Sequence, residues 1–131
     1  WHIPPLEQLR TMNGFMDLDF LARGLANVIT NSLESSDSMV TITIKADIRD
    51  DHLQLTLIDN GKGIEPDDLP LVFDPLFTTK NGHVGLGLTI SQRIVHDHAG
   101  SITIDSEIGR GTTVTMLIPQ ERRRSVRVKR L

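Results

Sequence analysis

The sequence has 131 residues, of which 38% are hydrophobic and 24% charged, as expected for one globular domain. It contains no cysteine, which excludes disulfide scaffolds, thiolate metal sites and cysteine nucleophiles. It shows no signal-peptide pattern, and no apolar run approaches the roughly 18 residues that a membrane helix needs. The net charge of −3 is the sum of −8 over residues 1–120 and +5 over residues 121–131. The acidic body does not favour nucleic acid as a partner, and it could bind a polyanion only through backbone amides or a metal ion.

The first predicted element is a helix. Residues 1–16 are an irregular lead-in with two adjacent prolines, which disfavour helix. Residues 17–35 place apolar side chains at spacings of three and four, the period of an amphipathic helix, and Asp17 is the expected N-cap. Gly24 is the weak point of this helix, because glycine costs up to about 1 kcal/mol relative to alanine there.

The rest of the body is predicted as two hairpins separated by a long loop and a helix. These elements are the strands 40–48, 52–59, 101–107 and 112–119, the loop 60–87 and the helix 88–98. Hairpins interleaved with helices predict an α+β fold, a two-layer α/β sandwich with a mixed, largely antiparallel sheet covered on one face by helices. The long glycine-rich loop indicates function or disorder.

Three separated features call for a joint explanation. Asn27 and Asn31 share one helix face, although two solvent-facing amides would have the same spacing. Residues 59–64 (Asp-Asn-Gly-Lys-Gly-Ile) follow a strand and place a carboxylate beside glycines, although an ordinary turn would use the same residues. Residues 82–88 (Gly-His-Val-Gly-Leu-Gly-Leu) open a helix and expose amides to an anion, although a glycine hinge is the plainer interpretation.

In order and spacing, these features resemble the catalytic and ATP-binding domain of sensor histidine kinases, within the wider gyrase, heat-shock chaperone, histidine kinase and mismatch-repair ATPase superfamily. Five segments carry the resemblance: 17–35 (N box), 59–64 (G1 box), 73–80 (Phe-Asp-Pro-Leu-Phe-Thr-Thr-Lys, F box), 85–88 (G2 box) and 109–114 (glycine-threonine box). The resemblance implies a Bergerat-type ATP-binding fold over residues 17–119, with 1–16 as lead-in and 120–131 as a basic tail.

The resemblance also implies roles for individual residues. Asn31 is implied as the magnesium ligand, with Asn27 one turn earlier supporting the same helix face. Asp59 is implied to accept a hydrogen bond from the exocyclic amine of adenine, and Thr112 to close a water-mediated network with it.

The remaining implied contacts involve the base, the phosphates and the lid over the nucleotide. They are Gly61, Gly63 and Ile64 at the base, Gly85, Leu86 and Gly87 at the phosphates, and Phe77, Thr78, Thr79 and Lys80 in the lid. Lys80 is the second implied catalytic residue beside Asn31, as a phosphate contact, with a solvated lysine as the alternative. Phe73 and Phe77 either anchor the lid, with one of them facing a partner domain, or are plain core aromatics.

The sequence departs from the family pattern in the phosphate loop and in the N box. His83 stands where a glycine is usual, two residues before Gly85, and this bears on the phosphate-loop geometry. Ser32 and Ser35 replace small alanines after the magnesium asparagine.

The chemistry implied is transfer of the ATP γ-phosphoryl group to a histidine outside this chain. His2 lies beside the two prolines, His52 opens a strand, His83 is in the lid, and His96 and His98 lie at a helix end, where capping or solvated polarity is the expected role. The phosphoacceptor is therefore expected on a separate dimerisation domain. Hydrolysis is disfavoured, because Asn27 stands where the ATPase branches carry a glutamate base. Two alternatives remain: a nucleotide-gated interaction module without phosphotransfer, and an anti-sigma-type serine kinase, against which the F-box string argues.

The implied partners follow from that chemistry. They are ATP, Mg²⁺, the histidine-bearing dimerisation domain and a downstream response regulator, with no nucleic acid. The domain is expected to be cytoplasmic and monomeric, in a homodimeric parent protein whose membrane anchoring the sequence leaves open. The basic tail is an appendage to the nucleotide site: a disordered end, a contact for an acidic partner, or a vector-derived end.

Overall fold

The structure, a computed structural model, describes residues 17–80 and 85–120. Its helices are α1 (Leu18–Leu33), a 3₁₀ turn (Leu69–Leu71) and α2 (Gly87–Asp97), and its strands are β1 (Ile42–Arg49), β2 (His52–Asp59), β3 (Ser101–Glu107) and β4 (Gly111–Pro119). Each predicted helix and strand is present, with its ends shifted by at most two residues. The predicted lead-in, the basic tail from residue 121 and His83 lie outside the described residues. Within the described ranges, no helix has both the length and the apolar character to cross a membrane.

The four strands form one sheet in the order β1-β2-β4-β3. β1 and β2 form the predicted hairpin, β3 and β4 form the second hairpin, and β2 joins the two by pairing with β4. Every pairing is antiparallel, so the predicted α+β sandwich is confirmed with a sheet that has no parallel pair among the described strands. The β2–β4 register sets Asp59 opposite Thr112, and the β3–β4 register sets Ser106 opposite the same Thr112.

The core lies between the two helices and one face of the sheet. Because side chains alternate along a strand, every second residue of β2 faces the helices. Two buried clusters fill this layer: Val28, Leu57, Val95, Val114 and Met116, and next to them Leu21, Leu53, Ile94 and Ile118. The same alternation carries Asp59, at the end of β2, onto the helix-facing side, where it is only 6% exposed. The apolar layer therefore ends in a buried carboxylate.

Two polar contacts join helices α1 and α2. The Ser91 hydroxyl, completely buried on α2, donates to the carbonyl oxygen of Gly24 on α1 at 2.8 Å. Asp17 is the N-cap of α1 as predicted, accepting from the N–H groups of Asp19 and Phe20. The backbone N–H of Asp17 in turn donates to Nε2 of His98 at 3.0 Å. This contact ties the start of α1 to the C-cap of α2.

Candidate functional site

A cavity of about 670 Å³ opens between α1, the start of α2 and the ends of β2 and β4. Its size falls in the range of small-molecule sites. The cavity is lined by nearly all of the predicted site residues: Asn27, Asn31, Asp59, Gly63, Ile64, Phe77, Thr78, Thr79, Lys80, Gly85, Leu86, Gly87 and Thr112. Gly61 does not line it. Residues from five separate sequence segments thus meet at one place, as the resemblance predicts.

Asp59 forms the buried polar end of the cavity. Its Oδ1 atom accepts from the N–H of Gly61 at 2.9 Å and from the N–H of Thr112 at 3.1 Å. Both bonds use the same oxygen, so Oδ2 has no hydrogen-bond partner among the described residues and is available to a ligand. Gly61 therefore acts on the site through the carboxylate, by holding its orientation.

The loop after β2 is shaped by glycine and by a serine that the sequence analysis did not single out. Gly63 has φ +79°, and an added Cβ would overlap the carbonyl group of Glu107, so no other residue fits without strain. The N–H of the next residue, Ile64, donates to the Ser106 hydroxyl at 2.9 Å. That hydroxyl also lies 2.8 Å from Oγ1 of Thr112. The only sequence signal for Ser106 was its place on the inward-facing side of a strand beside the glycine-threonine turn.

Asn31 is contacted by a lysine from the lid. The Lys80 ammonium lies 2.9 Å from Oδ1 of Asn31, 3.3 Å from the Asn31 carbonyl oxygen and 3.3 Å from Oε2 of Glu34. The Lys80 side chain is 22% exposed. Three oxygen atoms thus converge on one cation, and the structure holds Lys80 in the site instead of in solvent. The sequence analysis did not assign Glu34 a role.

The N-terminus of α2 closes the other end of the cavity. Gly87 is the first residue of α2, and no side chain caps this end of the helix. Gly85 has φ +77°, and an added Cβ would come within 2.5 Å of the Phe77 carbonyl oxygen. The Gly85 carbonyl accepts from the N–H of Leu76 at 2.9 Å, which fastens the base of the lid to the start of the helix. Uncapped N–H groups at a helix start are favourable partners for an anion.

The two lid phenylalanines differ in position. Both are half-buried, but Phe77 lines the cavity, whereas Phe73 is set beside α2 by its carbonyl oxygen, which accepts from the Thr89 hydroxyl at 3.0 Å. Of the N-box departures, Ser32 is buried and its carbonyl accepts from the Ser35 hydroxyl at 2.7 Å. Both serines line the cavity, Ser32 from α1 and Ser35 from the turn that follows it.

Residues 16–122 match the family described as histidine kinase-, DNA gyrase B- and HSP90-like ATPases. The chain belongs to this family. The match spans all seven described elements, from α1 to β4.

Relatives of this chain include proteins named as kinases. The chain is 38% identical over 104 residues to the sensor histidine kinase ZraS of Salmonella typhi, covering 79% of this chain and 22% of that protein. It is 39% identical over 101 residues to sporulation kinase D of Bacillus subtilis, covering 77% of this chain and 20% of that protein. The chain thus spans about a fifth of the length of these relatives. The predicted resemblance to the catalytic and ATP-binding domain of sensor histidine kinases is confirmed.

Solved structures agree with the fold. The mycobacterial sensor histidine kinase MprB superposes with a TM-score of 0.71 at 27% identity, covering 80% of this chain and 75% of that one. The catalytic domain of histidine kinase ThkA gives a TM-score of 0.71 at 24% identity, covering 88% and 84%. The predicted fold class is therefore also that of histidine kinase catalytic domains.

Proposed function

We propose that this ATPase-family domain binds magnesium-ATP and passes the γ-phosphoryl group to a histidine on a separate dimerisation domain of the same kinase. The observation that carries the proposal is the assembly of three different polar surfaces in one cavity. A buried carboxylate lies at one end, an uncapped helix start at the other, and the Asn31 amide between them. Adenine, phosphates and a hard cation match these surfaces in that order.

The base end supports adenine through Asp59. Its Oδ1 is committed to two backbone N–H groups, and Oδ2 accepts from the exocyclic amine of the base. Ile64 lines the cavity here and supplies an apolar surface for the ring, while Gly63 lets the loop turn close beside it.

The residues around Asn31 fit a divalent cation. In the described residues, no group of three or more His, Cys, Asp or Glu side chains forms a metal site, so an all-protein cage is not the arrangement. The observation that supports a cation here is the Lys80 ammonium, a positive charge that already contacts three oxygen atoms. Magnesium keeps most of its waters and takes one or two protein oxygens plus phosphates, which suits Asn31 Oδ1 as its protein ligand. When bound, the ion neutralises phosphate charge.

The phosphate end supports an anion through backbone groups. The start of α2 at Gly87 presents N–H groups without a capping side chain, and Gly85 and Leu86 line the approach to it. Lys80 lines the same cavity and, once released from Asn31, is proposed as the side-chain contact of these phosphates. Thr78 and Thr79 line the lid beside it.

Transfer is favoured over hydrolysis by Asn27. It lies on α1 one turn before Asn31 and lines the cavity, but an amide cannot take a proton from water. In the proposed reaction, an acceptor imidazole nitrogen forms a bond to the γ-phosphorus, the bond to the bridging oxygen breaks, and ADP leaves. Such transfer depends on positioning and charge stabilisation, which this cavity supplies. A homodimeric parent kinase and a downstream response regulator complete the proposal.

The test adds the purified chain to the separately made helical domain of the same parent kinase, with γ-labelled ATP. We expect acid-labile label on the helical domain, and none when its histidine is replaced by alanine. ATP binding without any label on the helical domain would contradict phosphotransfer and would favour the nucleotide-gated module.

A further inference from the structure

The hydroxyl of Ser106, near the end of β3, contacts three groups at the base end of the cavity. It accepts from the Ile64 N–H at 2.9 Å in the loop after β2. At the start of β4, it donates to the Gly111 carbonyl oxygen at 3.0 Å and lies 2.8 Å from Oγ1 of Thr112. Ser106 itself is half-buried on the inward-facing side of its strand. It is outside the roles assigned above, since it does not line the cavity.

The protons of this cluster can be assigned by counting. A hydroxyl has one proton to donate and two lone pairs to accept with. The Gly111 carbonyl can only accept, so it takes the Ser106 proton, and the Ile64 N–H can only donate. The contact between the two hydroxyls then forms only if Thr112 is its donor. The reverse assignment would satisfy only one of these two contacts, because the Ser106 proton would then point to Thr112 and the bond to the Gly111 carbonyl oxygen would be lost.

This assignment decides what Thr112 offers to a ligand. With its proton committed to Ser106, Oγ1 of Thr112 presents lone pairs to the cavity that it lines. Asp59, opposite Thr112 in the register, also presents an acceptor, Oδ2. The base end is thus a surface of acceptors. Acceptors at this end can receive hydrogen bonds from the amino group of a 6-aminopurine. They cannot bond to the carbonyl of a 6-oxopurine, because that group is also an acceptor.

We infer that Ser106 is a positioning residue that sets purine selectivity by fixing the direction of the Thr112 hydroxyl. The inference rests on the proposed function, because it concerns the base of the bound nucleotide. Without Ser106, the Thr112 hydroxyl can rotate and donate to a 6-oxo group, so discrimination between the two purines weakens.

The experiment compares ATP with ITP, which carries a 6-oxo group, by calorimetry on the full chain at constant Mg²⁺. We expect the wild type to prefer ATP. We expect Ser106→Ala to lower the ratio of ATP to ITP affinity by about three- to tenfold, the fold-change of one net hydrogen bond. In a Thr112→Val background, Ser106→Ala should leave the ratio unchanged. Ser101→Ala is the matched control, since Ser101 is exposed on the opposite face of the same strand.

Each other outcome has a definite meaning. An equal loss of ATP and ITP affinity in Ser106→Ala would overturn the inference, because a purely structural support would act on both nucleotides alike. A wild-type ratio in Thr112→Val would overturn it as well, and this variant decides the matter if Ser106→Ala fails to fold. Ser106→Thr, which keeps the hydroxyl, should keep the ratio. Failure of the wild type to bind either nucleotide would refute the proposed function itself.

Discussion

The ammonium of Lys80 lies 2.9 Å from the side-chain oxygen of Asn31, although the two residues are 49 positions apart in the chain. The same ammonium pairs with Glu34 at 3.3 Å. A lid lysine thus occupies the oxygen that is proposed to bind magnesium, and two cations cannot share that oxygen closely without strong repulsion. Under the proposed function, binding of magnesium-ATP would therefore exchange one cation for another, and the lysine would become available to the phosphates.

Replacement of Lys80 by methionine should separate these two effects. At saturating Mg²⁺, we expect Lys80→Met to weaken ATP binding by roughly tenfold or more, since a hydrogen bond to a charged group contributes about 1.5–3 kcal/mol. The Mg²⁺ concentration at half-maximal nucleotide binding should fall, because the competing ammonium is gone. Calorimetry and a Mg²⁺ titration measure the two quantities. Lys45→Met, on the exposed side of β1, is the control. Wild-type values for both quantities would contradict the exchange.

Asn31→Asp should abolish ATP binding with the fold intact. The new carboxylate would pair with Lys80 at the distance now held by the amide, and it would repel the phosphates. We expect at least a thirtyfold loss of affinity, about 2 kcal/mol, with an unchanged circular dichroism spectrum. Asn60→Asp is a matched control, since the Asn60 side chain accepts from the Thr41 N–H and the acid keeps an acceptor there. Equal ATP affinity in Asn31→Asp and the control would refute the metal assignment.

Two glycines at the start of α2 should respond differently to alanine. Gly85→Ala requires φ +77° and places Cβ within 2.5 Å of the Phe77 carbonyl oxygen, so we expect a loss of stability of about 1–3 kcal/mol. In Gly87→Ala the nearest side-chain atom to the added Cβ among the described residues is the Asn27 Cβ at 4.0 Å, so this variant should not destabilise the fold. Urea unfolding of both variants measures the difference. A larger loss for Gly87→Ala would contradict the loop geometry.

Gly24→Ala should stabilise the domain. The added Cβ would meet Ile94 at 3.6 Å, an ordinary contact distance, and alanine is favoured over glycine inside a helix by up to about 1 kcal/mol. The thermal midpoint should rise while ATP affinity stays the same. A lower midpoint would mean that the α1–α2 crossing is too tight for a methyl group.

The elements of the fold could be predicted because their signals are local. Leucine alternates with polar residues at positions 53, 55 and 57, and isoleucine does so at positions 102 and 104, which marks β2 and β3 although each strand continues beyond its last alternating residue. The N-cap at Asp17 was predictable for the same reason. The meeting of the five boxes came from the family resemblance, since periodicity carries no information on which strands pair.

The contacts that tune the site could not be predicted. Ser106 has the appearance of any polar residue in a half-buried strand until the β3–β4 register places it beside Thr112. The pairing of Lys80 with Asn31 depends on where the lid folds back onto α1, which no local pattern encodes. Glu34 was overlooked because a glutamate at a helix end is ordinary until the lysine lies against it.

The most direct test of the central claim is calorimetric titration of a non-hydrolysable ATP analogue with Mg²⁺ into the wild-type chain and Asp59→Asn. An asparagine can keep the Oδ1 bonds to Gly61 and Thr112, but it turns the remaining oxygen into an N–H₂ donor facing the donor amine of adenine. We therefore predict saturable one-to-one binding by the wild type and by Asp105→Asn, an exposed control on β3, and no detectable binding by a folded Asp59→Asn. Equal affinity of Asp59→Asn and the wild type would contradict the account.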